Sequence, residues 1–179
     1  VTITYGENTS FTSTASGNPI PDVQWQVDDG KGAGFVNVGN DDVYSGATST
    51  TLSITNPPVS FSGNRYQAVF SNTAGTVISN PAVLTVNKAD QSINVTPSAP
   101  ESAVYGTDFD VAATASSGLD VEITTDGTVC TGSGTGNATI NMAGSNGTGY
   151  VYYNQAGDEN YNPASPVAQP VEALKASLT

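Results

Sequence analysis

The chain has no histidine, one cysteine (Cys130), one methionine and one tryptophan in 179 residues. Without histidine, imidazole-based triads and dyads and His-ligated metal sites are excluded. A lone cysteine rules out any disulfide within the chain. It leaves that thiol two fates, an intermolecular cross-link or a buried, inert side chain. Positive charge is as scarce: Lys31, Arg65, Lys88 and Lys175 face sixteen acids, for a net charge of −12. Nucleic acid is therefore a poor partner, because phosphate binding needs clustered Lys and Arg, and anionic membrane surfaces are disfavoured on the same ground. No apolar run approaches the ~20 residues needed to span a bilayer, so no membrane insertion is expected. Charged residues of both signs make up only 11% of the chain, and Ser, Thr, Asn and Gly take the surface positions, as in secreted β-proteins. Helix signals are nearly absent.

What the chain does have is repetition. Lys88-Ala89-Asp90-Gln91 and Lys175-Ala176-Ser177-Leu178 stand 87 residues apart, each after a run of alternating valines. Tyr5-Gly6, Phe11 and Ala15-Ser16-Gly17 are echoed by Tyr105-Gly106, Phe109 and Ala115-Ser116-Ser117-Gly118. A period of this size marks an array whose unit is a small domain. The expected division is a domain over 1–87, a second over 88–174, and the start of a following repeat or a terminal strand at 175–179.

Period-two patterning fills each unit. Val23, Trp25 and Val27 alternate with Gln24 and Gln26; Leu52 and Ile54 with Ser53 and Thr55; Tyr66, Ala68 and Phe70 with Gln67 and Ser71. Turn residues separate these runs, as in Gly17-Asn18-Pro19 and Asn56-Pro57-Pro58. One buried face per strand predicts an all-β protein built from two-sheet sandwiches. The expected core is Trp25, Leu52, Ile54, Tyr66 and Phe70 in the first unit, and Phe109, Ile123 and Ile140 in the second.

These residues carry a resemblance. Gly17-Asn18-Pro19, Val23-Gln24-Trp25, Leu52-Ser53-Ile54 and Gly63-Asn64-Arg65-Tyr66-Gln67-Ala68 resemble an immunoglobulin domain. Trp25 stands at the core tryptophan, and Tyr66 at the corner tyrosine two residues before the second cysteine position. Ser13 and Ala68 occupy the places of the cysteine pair, so the inter-sheet disulfide is lost. Residues 88–174 resemble the bacterial immunoglobulin-like repeats of large surface proteins. The matching phrases are Lys88-Ala89-Asp90-Gln91-Ser92-Ile93, Tyr105-Gly106, and Gln155-Ala156-Gly157-Asp158-Glu159-Asn160-Tyr161-Asn162-Pro163. Relatives of that kind pair a cysteine like Cys130 with one at the position of Gly149. The resemblance implies two tandem immunoglobulin-like β-sandwich domains joined by a short linker, in an extracellular or bacterial cell-surface setting.

Candidate sites are few. If the strand at 22–28 forms a hairpin with 34–39, Asp22, Asp41 and Asp42 fall at one end. They are then either a calcium site, which wants six to eight oxygens, or solvated turn formers. Asp108 and Asp110, and Asp120 and Glu122, lie two apart and read as charged outer faces that discourage edge pairing. Glycoside hydrolysis needs paired acids around a cleft, and a small sandwich offers none, so no enzyme activity is expected. Tyr150 and Tyr152 share one face of a strand and Tyr153 the other, so one set belongs to the core and the other to the surface. The leading expectation is a non-catalytic structural or adhesive segment, a stalk or spacer whose partners are neighbouring repeats. A self-assembling filament subunit, pairing with copies of itself by strand addition at Val1–Thr4 and 173–179, is the first alternative. A module binding a surface ligand or glycan through its outer tyrosines is the second. No cofactor is expected other than Ca²⁺.

Overall fold

The computed structural model describes residues 1–176, all-β with one short 3₁₀ turn at Val59–Phe61. The chain divides into Val1–Ala89 and a second unit from Asp90 onward, each with its own apolar core. Residues 177–179, part of the expected following repeat, lie outside the described residues.

Alternation decides which face each strand of unit 1 buries. Its strands are β1 (Thr2–Thr4), β2 (Thr9–Thr12), β3 (Asp22–Asp28), β4 (Val36–Asn37), β5 (Tyr44–Ser45), β6 (Thr51–Ile54), β7 (Arg65–Asn72), β8 (Gly75–Ile78), β9 (Ala82–Val83) and β10 (Thr85–Asn87). One sheet runs β2-β6-β5 and the other β4-β3-β7-β8, with β9 also on β7 and β1 parallel to β10. That is the B-E-D and C′-C-F-G order of an immunoglobulin sandwich. Trp25, Leu52, Ile54, Tyr66, Ala68 and Phe70 all face inward and are buried. No cystine bridges the sheets. Instead Phe11 of β2 stacks on Tyr66 of β7 with ring centroids 4.9 Å apart, and Trp25 donates its indole N–H to Ser49 O at 2.8 Å. Between β8 and β9 the partner strand gains one residue: Val69 faces Ile78, yet Arg65 faces Val83. At this bulge Ser79 Oγ accepts the Ala68 amide at 2.9 Å, keeping a buried N–H satisfied.

Unit 2 repeats the plan. Its strands are β11 (Ile93–Val95), β12 (Ser102–Val104), β13 (Asp108–Ala115), β14 (Glu122–Thr125), β15 (Cys130–Thr131), β16 (Gly134–Thr135), β17 (Asn137–Met142), β18 (Thr148–Asn154) and β19 (Val167–Leu174). One layer is β11-β13-β17, the other β14-β18-β19-β12, and β16 joins them at one edge by pairing with both β14 and β17. Ile123, Ile140, Met142, Val151, Tyr153 and Val171 are fully buried. Phe109 is only half-buried and packs at the margin of the core.

The repeated phrases land on equivalent backbone. Tyr5 N donates to Asn87 O at 2.9 Å, and Tyr105 N to Leu174 O at 2.8 Å. The glycine after each tyrosine has positive φ, +95° at Gly6 and +81° at Gly106, which a side chain rarely tolerates. Ser13 N donates to Thr50 O as Ala113 N donates to Gly136 O. This register sets Phe11 against Val111, each five residues after its turn glycine, and not against Phe109, which stands three after.

The end strands expected to add to a neighbour each pair within their own unit. All three residues of β1 pair with β10, and Ala173 and Leu174 pair with Ala103 and Val104. β1 and residues 173–174 thus each have a partner in their own unit, and residues 177–179 of that expected segment lie outside the described residues.

Candidate functional site

Asp22, Asp41 and Asp42, read as either a calcium site or turn formers, form no three-carboxylate cluster. Asp22 opens β3, paired with Ser71. The β3–β4 pairing is limited to Gln26–Asn37 and Val27–Val36, after which the chain crosses toward the other sheet. There Asp41 Oδ1 accepts the amides of Val43 (2.8 Å) and Tyr44 (2.6 Å), so its carboxylate closes a turn. Among the described residues no three acidic or thiol groups lie close enough to hold a metal. At the opposite end of β3, Asp28 is buried beside Arg65, whose guanidinium also lies over Phe35. The Gly30 amide and then Arg65 hold the Asp28 carboxyl below its usual range.

Cys130 is fully buried. Burial, then the nearby Asp126 charge, pushes its thiol up, so it is not presented as an intermolecular cross-link. Gly149 faces it closely: a Cβ there would stand 2.4 Å from Cys130 Sγ and 3.0 Å from Cys130 N.

Asp126 was not singled out in the sequence, where Asp-Gly reads as an ordinary turn. Its Oδ1 accepts the amides of Thr128 (3.0 Å), Val129 (3.1 Å) and Cys130 (3.1 Å), and Oδ2 accepts Tyr150 N at 2.9 Å. Burial alone would raise its pKa; these amides outweigh it and hold the carboxyl low. Because the folded value is depressed, the stabilisation is complete above the unfolded value of about 3.9 and is lost as pH falls through the folded one. Asp126→Asn should therefore lower the urea midpoint at pH 7 and flatten its decline below about pH 4. Identical pH slopes in parent and variant would remove Asp126 from that role.

A second polar cluster joins two of the repeat phrases. Gln91 Nε2 donates to Gln155 Oε1 (2.9 Å) and Asn162 O (2.7 Å), and Asn162 Nδ2 donates to Asp90 Oδ1 at 2.8 Å. Gln155 Oε1 also accepts the Gly157 amide, and Asp158 Oδ1 accepts those of Asn160 and Tyr161. Both motifs thus tie the loop after β18 to the entry of the unit.

The outer face of β18 is the candidate binding surface. Tyr150 and Tyr152 are 40% and 37% exposed, and their rings lie 14° from parallel with centroids 6.0 Å apart. Tyr153 points the other way, is buried, donates to Gln169 Oε1 at 2.9 Å, and is pushed up to about 12 by burial. Directly paired residues share a face, so Thr124, Ala168 and Pro170 flank the two rings. Exposed Glu122 and Glu172 sit one pair further along, opposite Asn154 and Thr148. Asp108 and Asp110 are elsewhere, on β13, where they accept from Asn141 Nδ2 and Thr139 Oγ1, each at 2.7 Å.

No family model matches this chain. A stretch of 88 residues is 42% identical to part of Endoglucanase C of Cellulomonas fimi, covering 49% of this chain and 7% of that protein. Among solved structures, the N-terminal four Ig domains of Dscam1 isoform 4.44 align over 98% of this chain and 43% of theirs, at 18% identity and a TM-score of 0.44. The N-terminal eight Ig domains of DSCAM isoform 1.30.30 align over 99% of this chain and 22% of theirs, at 20% identity and a TM-score of 0.44. This chain therefore spans a small part of the curated relative and under half of either structure.

Proposed function

We propose that the chain is a non-catalytic spacer segment of an extracellular protein, two immunoglobulin-like beads of a longer array. The observation that carries this reading is the strand pairing that the two units share next to their Lys-Ala exits. In each, the strand before the Tyr-Gly turn pairs in parallel with the last strand (β1 with β10, β12 with β19), and Lys-Ala follows the last strand. A module with constant ends can be strung repeatedly without redesign. The partial match to a glucanase, over a share of that protein the size of one bead, supports an accessory role beside a separate catalytic part. Light scattering with small-angle X-ray scattering tests it. An extended monomer is expected, unchanged by calcium or chelator because Asp22, Asp41 and Asp42 do not converge. A compact particle or ordered polymers would sink the reading.

The exposed tyrosine pair favours a second reading, in which unit 2 also holds a neutral glycan. Aromatic rings give sugar C–H faces a surface to lie on, and the −12 charge disfavours anionic polymers. A soluble β-glucan is the polymer to try first, given the relative's name. Retardation in a glucan-containing gel is expected, and Tyr150→Ala with Tyr152→Ala should abolish it. Each removed ring also gives up cross-strand contacts of about 0.2–1 kcal/mol, so the urea midpoint of the variant is read alongside its mobility. Equal mobility with and without glucan would dismiss this reading and leave the spacer role intact.

A further inference from the structure

Tyr150 and Tyr152 are not the end of their row on β18. Alternate residues of a strand share a face, so Asn154 comes next, opposite Glu122 of β14. At about 3.4 Å per residue, Tyr150 to Asn154 spans roughly 14 Å. Beyond Asn154 lies an open cavity of about 360 Å³, lined by Asp120, Glu122, Asn154, Gln155, Pro163 and Pro166 among others. Glu122 and Asn154 belong both to the sheet face and to the cavity wall, so the two surfaces are continuous.

The carboxylate of Glu122 guards no edge. There β14 pairs with Thr135 of β16 on one side and Asn154 of β18 on the other, so the edge-protecting role expected from the sequence does not apply to it. Neither Asp120 nor Glu122 joins an ion pair among the described residues, and no group of three acidic or thiol side chains among them could hold a metal. Gln155 is committed to the protein: its Nε2 donates to Asp120 O at 3.1 Å, and its Oε1 accepts the Gly157 amide. It thereby pins the loop that walls the cavity, while Asp120 and Glu122 stay exposed. An ionised carboxylate only accepts hydrogen bonds, and a hydroxyl donating to it makes one of the stronger kind. A peptide strand is the poorer occupant, because β14, β18 and β19 are each paired on both sides and offer it no backbone groups.

We propose that the cavity is the second half of a sugar site that begins on Tyr150 and Tyr152, and that its ligand is a neutral β-gluco-oligosaccharide long enough to cover both. Sugar rings lie along the tyrosine pair, and hydroxyls of the leading ring donate to Asp120 and Glu122 beside the Asn154 carboxamide. The inference rests on the glycan reading of unit 2 and adds to it a length requirement and a hydroxyl requirement. Sugars carrying carboxylate or sulfate are repelled by the same two acids, and a disaccharide reaches one half only.

The test titrates the isotope-labelled full chain with cellobiose and with cellohexaose, following its amide resonances. Cellohexaose is expected to shift Tyr150 and Tyr152 together with Asp120, Glu122 and Asn154, and to bind more tightly than cellobiose. Asp120→Asn with Glu122→Gln should weaken cellohexaose by about tenfold, what one hydrogen bond to a charged group carries. The tyrosine shifts should persist at saturation, and the urea midpoint should match the parent's. Equal affinity in parent and variant, or shifts confined to Tyr150 and Tyr152, would overturn the proposal and leave the glycan reading standing. Cellobiose binding as tightly as cellohexaose would overturn the two-part site. No shift with either sugar would overturn the proposal and the glycan reading together.

Discussion

Gly149→Ala is expected to destabilise unit 2 by about 1–3 kcal/mol, the usual cost of overpacking a filled core. The added methyl would meet Cys130 Sγ at 2.4 Å, Cys130 N at 3.0 Å and Val129 Cβ at 3.1 Å. The Cys130 backbone is fixed by the β15–β17 pairing and Val129 by its bonds to Gly144 N and Asp126 Oδ1, so the sulfur yields first. Gly149→Cys is expected to act in the opposite sense under oxidising conditions. A thiol at 149 finds the Cys130 sulfur within bonding reach, and a bridge from 130 to 149 closes a loop of about 20 residues, worth about 3 kcal/mol by chain entropy. For a domain of this size that is a rise in midpoint of roughly 12–24 °C at about 4–8 °C per kcal/mol. Free-thiol titration and melting with and without reductant check it. Two titratable thiols after oxidation, with no difference between the melts, would refute the pairing. Cys130→Ala added to Gly149→Ala should recover part of the loss, since it removes the sulfur and leaves the backbone contact.

Tyr66→Ala is the second large effect. Tyr66 is fully buried, stacks on Phe11 and tilts against Tyr44, whose hydroxyl lies 3.1 Å from its own. Removing an aromatic side chain from such a core costs about 3–5 kcal/mol, a large share of the roughly 5–15 kcal/mol a domain has. Unit 1 should unfold at far lower urea while unit 2, whose core is separate, holds its own transition. Tyr66→Phe keeps the ring and leaves the half-buried Tyr44 hydroxyl without this partner, for a loss of about 1 kcal/mol. Trp25 emission follows unit 1 in both variants. A loss below 1 kcal/mol in Tyr66→Ala would mean that the aromatic pair does not replace the missing disulfide.

The fold was legible because alternation and turn chemistry are local. Val23-Gln24-Trp25-Gln26-Val27 admits one pleated arrangement with one face buried, and β3 spans Asp22–Asp28 accordingly. Tyr-Gly was legible as an echo, and its meaning, the turn after a strand paired in parallel with the last one, needed only the same register twice. Carboxylates left two readings open. Asp41 and Asp126 are short side chains in loops, and whether such a group gathers a cation or its own backbone amides depends on where the chain returns. In both cases it takes the amides. The distant pairing of Gln91 with Gln155 had no local signal at all.

By itself the sequence determined the class, the repeat, the strand faces and the chemistry that a chain without histidine and with four bases cannot perform. Those follow from composition and from a period-two pattern that acts over a few residues. The tertiary structure alone decided that Cys130 is sealed against Gly149 and that Tyr150 and Tyr152 stay at the surface. These depend on contacts between residues far apart in the chain, where burial and hydrogen-bond partners are set by which sheets meet.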